Sequence, residues 1–460
     1  MLKILPLIFL FSTATAFASS DEESNMSVEI SEIADGIRSI NDSDYNKVDA
    51  AKVTLGQALF FDKELSGNRN ISCSTCHSPI TATTDGLSIN LGEGAKGLSV
   101  SRDPGKFPPE ASAPLERGQR NAPALFDRGA KEFTVLMHDG RFQVDKKQPS
   151  GFLSPAGDLL PLGFNNMLEV ISIFAFTEIQ EMLGQVGENE VADAGAAQPF
   201  TGIWSALVER IKKVPAYKPL FAAAYPELGG DINKITIVHV GRAIAHFQSA
   251  SFRASGEAPF DRYMRGDNQA LSKEAVRGLK VFVGKGNCVS CHSGPFFTDH
   301  KFHALGVPQI GPGFGGVGND QREDFGREGV TQNASDRYKF ITPPLRNVAL
   351  TGPWGHDGAF NSLEAIVRHH LEPKKSLLNY NPEQRVLPSR EDLDKLDLIA
   401  LMNPTTTSQI ASRIEINGIR LSDSEFKDLM GFLNALTDPK AVDLRKTVPK
   451  KVPSGATLAD

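Results

Sequence analysis

The stretch ISCSTCHSPI, residues 71–80, sets two cysteines three positions apart with a histidine directly after the second, and GNCVSCHSGP, residues 286–295, repeats the arrangement. Three chemistries use such a pair. A thioredoxin-like redox couple wants a preceding strand and gains nothing from the histidine. A structural zinc site would have to unite two pairs lying about 200 residues apart. Covalent haem attachment needs this spacing, because on a helix both sulfurs reach the two vinyl groups of a haem while the imidazole meets its iron. The reading is therefore two c-type haems, bound by Cys73, Cys76, Cys288 and Cys291, with His77 and His292 as proximal iron ligands. These are all four cysteines of the chain, so none remains for a disulfide framework.

The first residues, MLKILPLIFLFSTATAFASS, place one lysine before an apolar run and end it on Ala16-Phe17-Ala18, the small-x-small pattern cut by signal peptidase. Residues 1–18 are read as a leader cleaved after Ala18, which sends the mature chain to the periplasm; an uncleaved membrane anchor is the alternative. No later stretch has about 18 unbroken apolar residues, so no membrane span is expected after cleavage. Loss of Lys3 moves the formal net charge from −6 to −7, which gives no basis for nucleic-acid binding. A chain of 460 residues exceeds one core.

The surroundings of the two motifs are related, as in an internal duplication. GQALFFDKELSGNRNISCSTCHSP (56–79) compares with GLKVFVGKGNCVSCHSGP (278–295), RNAPAL (120–125) with LRNVAL (345–350), and MHDGR (137–141) with GHDGAF (355–360). Helical periodicity is clearest in KITIVHVGRAIAHFQSASF (234–252) and SEFKDLMGFLNALTD (424–438), and strand-like alternation is scarce. GVPQIGPGFGGVGND (306–320) reads as a long loop, GENEVADAGAAQ (187–198) as a solvated insertion, and TVPKKVPSGATLAD (447–460) as part of a loose tail. The expected fold is mainly α: two cytochrome c-like haem domains, 45–255 and 256–440, with long irregular connections and a loose tail over 441–460.

Over nearly all of the mature sequence the chain resembles the bacterial dihaem cytochrome c peroxidases and their relative MauG. The resemblance rests on GQALFFDKELS, RNAPALF, HDGR, PFDRYMRGD, GLKVFVGKGNCVSCHSGPFFTDHKFHALGV, PPLRNVALTGPWGHDG and FLNALTDP. It implies an N-terminal haem that meets hydrogen peroxide and a C-terminal haem that relays electrons. It also implies a small redox protein as electron donor, or an oxidisable protein substrate, and it allows a homodimer. The family's catalytic glutamate precedes a methionine about forty residues after the Asp-Gly-Arg; Glu181-Met182 matches, with Glu178 as a competing exposed helix carboxylate. A carboxyl in a largely apolar pocket suits the proton transfer between peroxide oxygens that this chemistry needs. The resemblance further implies a calcium ion between the haems, at Asn121, Thr351 and Pro353; such oxygen donors suit a hard cation, although Asn121 equally suits a turn.

The chain departs from the family in three places. The removable distal histidine of many peroxidases is replaced by Glu93, in INLGEGAKG, and no histidine occurs between His77 and His138. The first haem is therefore expected to be five-coordinate or water-bound, with Glu93 either a distal-side group or a loop carboxylate turned to solvent. His138 stands where these peroxidases often carry an inter-haem tryptophan, and is expected to bridge the gap by hydrogen bonding though it lacks an easily oxidised indole; Trp354, near the other repeat, is expected to pack in the core, with partial compensation for that indole as the alternative. The second haem's distal ligand, methionine in typical peroxidases and tyrosine in MauG, falls fourteen residues after His356, on His370, with His369 beside it as the alternative. A second imidazole in place of methionine lowers haem potential. His239 and His246 are read as structural, and His300 and His303 as packing or propionate neighbours. The expected activity is peroxide reduction to water, with MauG-like oxidation of a partner protein as the alternative and a simple electron carrier as the third reading.

Overall fold

Two helix crossings organise the computed structural model, which describes residues 36–109, 113–313 and 322–458. The expected leader, 1–18, lies outside them. In the first crossing, helix Ala50–Phe61, capped by Asp49, packs on helix Ile237–Ser251. In the second, helix Lys273–Val283, capped by Ser272, packs on helix Asp423–Asn434, whose Ser422 and Glu425 form a reciprocal capping box. Each pair closes through a glycine. A Cβ on Gly56 would lie 1.9 Å from the Ala243 carbonyl oxygen, and one on Gly278 would lie 1.9 Å from the Asp428 carbonyl oxygen. One turn further on, the same phenylalanine pair recurs: Phe60 on Phe247 with ring centres 5.2 Å apart, and Phe282 on Phe432 at 5.1 Å. The sequence duplication is thus a structural one.

Each crossing has its own core. The first gathers residues from Ile40 to Ala254 and adds Phe296; the second runs from Phe260 to Leu436 and adds Ile37. The haem motifs follow the first helix of each pair. Cys73–Cys76 forms one helical turn after Ser72, and Cys288–Ser290 forms one 3-10 turn. Among the described residues, strand is confined to a three-stranded antiparallel sheet (Val135–Leu136, Phe142–Val144, Phe152–Leu153) and a two-stranded one (Phe302–His303, Phe340–Ile341). The described part of the 306–320 loop, residues 306–313, has neither helix nor strand. No helix among the described residues is long and apolar enough to cross a membrane.

Two expectations are corrected. The stretch 187–198 is not a solvated insertion: Glu190–Ala197 is a helix capped by Asn189, and Val191 and Ala192 are buried in the first core. Its polar composition hides two apolar residues that suffice to seat it. The segment after residue 440 is not loose either. It returns to the first half, where Leu444 and Val452 are each 3% exposed, Gln57 donates to the Thr447 carbonyl at 2.8 Å, and Ser454 Oγ donates to the buried Asp62 carboxylate at 2.6 Å. Burying two such side chains stabilises by roughly 1.5–3 kcal/mol each. A chain ending at residue 440 is expected to melt several degrees below the full chain in a haem-monitored thermal scan; an unchanged midpoint would show that the tail contributes nothing.

Candidate dihaem centre

The two candidate proximal histidines are held alike. His77 closes the turn by donating its N–H to the Cys73 carbonyl at 2.9 Å, and His292 does the same to Cys288 at 2.8 Å. Ring Nδ1 of His77 lies 3.1 Å from the Thr83 carbonyl oxygen, and Nδ1 of His292 lies 3.0 Å from that of Phe297. A carbonyl at Nδ1 fixes the tautomer and leaves Nε2 as the donor to a metal. Burial lowers the pKa of His77, and takes that of His292 down to about 4 with help from His370, so both rings stay neutral. Burial also pushes the Cys73 and Cys288 thiols up to about 12, which does not suit a reactive redox pair. Cys73 packs on the first core and Cys288 on the second, so the two pairs do not form one zinc site.

The helix Leu363–Leu371 carries both candidate ligands for the second site. The ring centres of His292 and His370 are 6.3 Å apart. Two imidazoles bound across one metal at about 2 Å per bond require a separation of roughly 6 Å, so this pair fits an iron between them. His370 Nδ1 is 2.8 Å from the Ile366 carbonyl oxygen, which again leaves Nε2 available. His369 points elsewhere: its Nε2 lies 3.1 Å from the Leu305 carbonyl oxygen and its ring packs on Phe360. Helical geometry turns adjacent residues about 100° apart, so only one of the two can face His292.

Beside the first site, Ile179–Leu183 forms a single π-helical turn carrying Glu181. The Glu181 carboxyl is pushed up to about 7, by burial first and then by the neighbouring Glu178, against a downward pull from Arg141. Its charge also acts on Cys76, the second cysteine of the first motif. Glu178 is no exposed helix carboxylate: it precedes the π turn, its carbonyl accepts from the backbone of Glu181, Met182 and Leu183, and burial raises its carboxyl. Glu93 does not turn to solvent. It is 6% exposed, and its Oε1 accepts from Asn68 and Asn70 at 2.7 Å each. Its N–H donates to the Gln180 carbonyl at 3.2 Å, which fastens the Glu93 loop to the Glu181 turn. Asp85, which the sequence did not single out, is fully buried near Cys76, and burial pushes its carboxyl up to about 7.

His138 sits at the junction of the two halves, with Nε2 3.2 Å from the Asp324 carboxylate. Asn121 donates from Nδ2 to the Leu87 carbonyl at 2.7 Å, which turns Oδ1 away from that carbonyl. Thr351 donates to the Val348 carbonyl at 3.4 Å and Pro353 is buried. Trp354 packs on the second core and donates to the same Val348 carbonyl at 2.9 Å. His239 and His246 accept backbone N–H groups of Thr236 and Asp49, each at 3.0 Å. His300 pairs with Glu132 at 3.0 Å and His303 with Asp299 at 2.9 Å. The described residues hold one cluster with metal-ligand chemistry outside a His-ligated pair, Cys291, Asp299 and His303, and its Cys291 is claimed by the haem motif.

A family model described as di-haem cytochrome c peroxidase matches residues 50–269. The methylamine utilization protein MauG of Methylorubrum extorquens is 33% identical over 360 residues, covering 78% of each chain. Cytochrome c551 peroxidase of Pseudomonas aeruginosa is 26% identical over 313 residues, covering 68% of this chain and 69% of its own. Among solved structures, the diheme peroxidase BthA from Burkholderia thailandensis superposes with a TM-score of 0.55 at 22% identity, over 86% of this chain and 88% of its own, a likeness of fold. The duplicated helix crossings, the paired haem-attachment turns and these relatives lead to one conclusion: the chain belongs to the dihaem cytochrome c peroxidase and MauG family, and it is a haem oxidoreductase with dihaem peroxidase or MauG-like activity.

Proposed function

We propose that this chain is a periplasmic peroxidase that reduces hydrogen peroxide to water, with electrons entering at the His292–His370 site and passing to the His77 site. Cys73 and Cys76 would hold one haem c and Cys288 and Cys291 the other. When bound, the haem on His77 supplies the iron that takes peroxide and delivers electrons to it. The observation that carries the reading is Glu181, a carboxyl that burial raises to about 7 and whose charge acts on Cys76. Near neutral pH it exists in both forms, so it takes the proton from one peroxide oxygen and gives it to the other, which leaves as water. Two further protons come from solvent and two electrons from a small redox protein, which balances one peroxide to two waters. With no histidine between His77 and His138, the chain offers no imidazole from that segment to close the distal side. A calcium ion held by Asn121 Oδ1 and the carbonyls of Thr351 and Pro353 would stiffen the junction between the halves.

The 33% identity to MauG favours a second reading, in which peroxide oxidises side chains of a partner protein. The two readings separate in one assay. Ferric protein mixed with peroxide and a reduced small c-type cytochrome is expected to oxidise two cytochromes per peroxide with no prior reduction step. Peroxide consumed with the cytochrome left reduced, while a partner protein changes mass, would replace the first reading by the second.

A further inference from the structure

The polar and aromatic cluster at the junction of the halves has an organisation that the repeated His-Asp-Gly turns alone do not reveal. His138 comes from the first turn and His356 from the second, and their rings lie nearly parallel, 26° apart with centres at 6.0 Å. Phe340 stacks on His356 at 3.8 Å and lies 6.0 Å from His138. One carboxylate faces the pair: Asp324 Oδ2 is 3.2 Å from His138 Nε2 and lies 3.9 Å from His356 Nε2, beyond hydrogen-bond reach. Asp324 is 1% exposed and is itself fixed, by an ion pair with the Arg120 guanidinium, by two bonds between its backbone and the Gln309 side chain, and by the Gly326 N–H at 2.7 Å. His356 is buried, and neither of its ring nitrogens has a hydrogen bond. Burial and the Arg120 charge hold both imidazoles well below the usual histidine range, so they are neutral.

The chain also ties this cluster to both candidate haem sites. Arg120 is three residues before Pro123, whose carbonyl faces the His77 ring. Phe340 is three residues before Pro343, whose carbonyl faces the His292 ring. A strand contact adds a direct link, since Ile341 N–H donates to the His138 carbonyl at 2.9 Å. Each His-Asp-Gly glycine has positive φ and presses on the opposite half: Gly140 on Phe302 and Arg327, Gly358 on Ser88. The two turns are therefore held in contact by the junction itself.

We propose that Asp324 is a positioning residue for electron transfer between the two haem sites, its carboxylate fixing the His138 ring so that it lies parallel to the buried His356 ring across the junction. This rests on the reading of two haem sites but not on peroxide as the oxidant. One electron leaves the second site and one arrives at the first, and no side chain of the cluster changes its oxidation state on net.

The test uses the full, haem-loaded protein and no peroxide. A flash-generated reductant gives one electron to the ferric protein, and equilibration between the haems is followed at their separate absorption bands. Asp324→Asn and His356→Gln are compared with the native chain after haem content and spin states are recorded. Both variants are expected to keep native haem content and spin states while inter-haem equilibration slows at least about tenfold. His356→Gln leaves the Arg120–Asp324 pair intact, so it decides alone if Asp324→Asn does not fold. A folded variant with the native rate overturns the proposal. So does slowing accompanied by a changed spin state, because that would make the cluster a support for ligation instead. Failure of the peroxide assay above, with this result intact, would count against peroxidase activity and not against Asp324.

Discussion

Glu181→Gln is expected to slow peroxide-dependent oxidation of a reduced cytochrome by about 10²–10⁴-fold, the range for loss of a positioned acid–base group. The amide keeps the shape of the side chain but cannot take up or return a proton at peroxide. Peroxide binding is expected to change far less, which puts the loss in kcat. The pH profile carries the sharper signature. The first act of Glu181 is to accept a proton, which needs the carboxylate, so the native rate should rise with pH through about 7. That limb should vanish in the variant. The same raised pKa has a consequence for stability, with the sign fixed by linkage. A carboxyl whose folded value lies above its ordinary value of 4.5 favours the fold below 4.5, and that contribution is lost as pH rises through about 7. Glu181→Gln should therefore melt higher than native protein at pH 8, with the advantage shrinking towards pH 5. A variant that is slow but has an unchanged pH limb would remove Glu181 from the proton path.

Gly278→Ala and Gly56→Ala are each expected to be strongly destabilising, although they add a single methyl. At both positions the new Cβ would sit 1.9 Å from a backbone carbonyl oxygen and 2.8 Å from a phenylalanine Cβ on the facing helix. Neither obstacle is a flexible side-chain end, so the helices must separate. Overpacking of this kind costs about 1–3 kcal/mol and more when backbone has to move; about 3 kcal/mol or more is expected here. Separation also loosens Phe282 from Phe432, or Phe60 from Phe247, and with them the core on which the adjacent haem turn rests. The damage should be local. In a thermal scan followed at the haem bands, Gly278→Ala should lower the transition of the His292 site first and Gly56→Ala that of the His77 site first. Equal loss at both sites in either variant would contradict two separately closed cores.

The features that were legible in the sequence are those fixed by local spacing. The Cys-x-x-Cys-His turns, the apolar periodicity of 237–251 and 423–434, and the echo of GQALFF in GLKVFV are all statements about neighbours along the chain. The same holds for the mainly helical fold and the family. What stayed hidden depends on contacts between distant segments. The choice between His369 and His370 is made by which ring faces His292 across more than seventy residues of chain. The burial of Glu93 follows from Asn68, Asn70 and the Gln180 carbonyl, no two of which form a motif with it. Asp324 lies in a stretch with no periodicity and acquires its partners, Arg120 and His138, only when the halves dock. The tail looked loose because lysine, proline and glycine interrupt it without an apolar period, yet Leu444 and Val452 pack on the first core.

The proposed haem sites are asymmetric, one with an imidazole on each side of the metal and one with His77 alone. An electron paramagnetic resonance spectrum of the purified ferric protein, recorded beside that of His370→Ala, tests this asymmetry most directly. One high-spin and one low-spin haem are expected in the native protein, with loss of the low-spin signal in the variant and the high-spin signal of the His77 site unchanged. Two low-spin haems in the native protein, or a low-spin signal that survives His370→Ala, would contradict it.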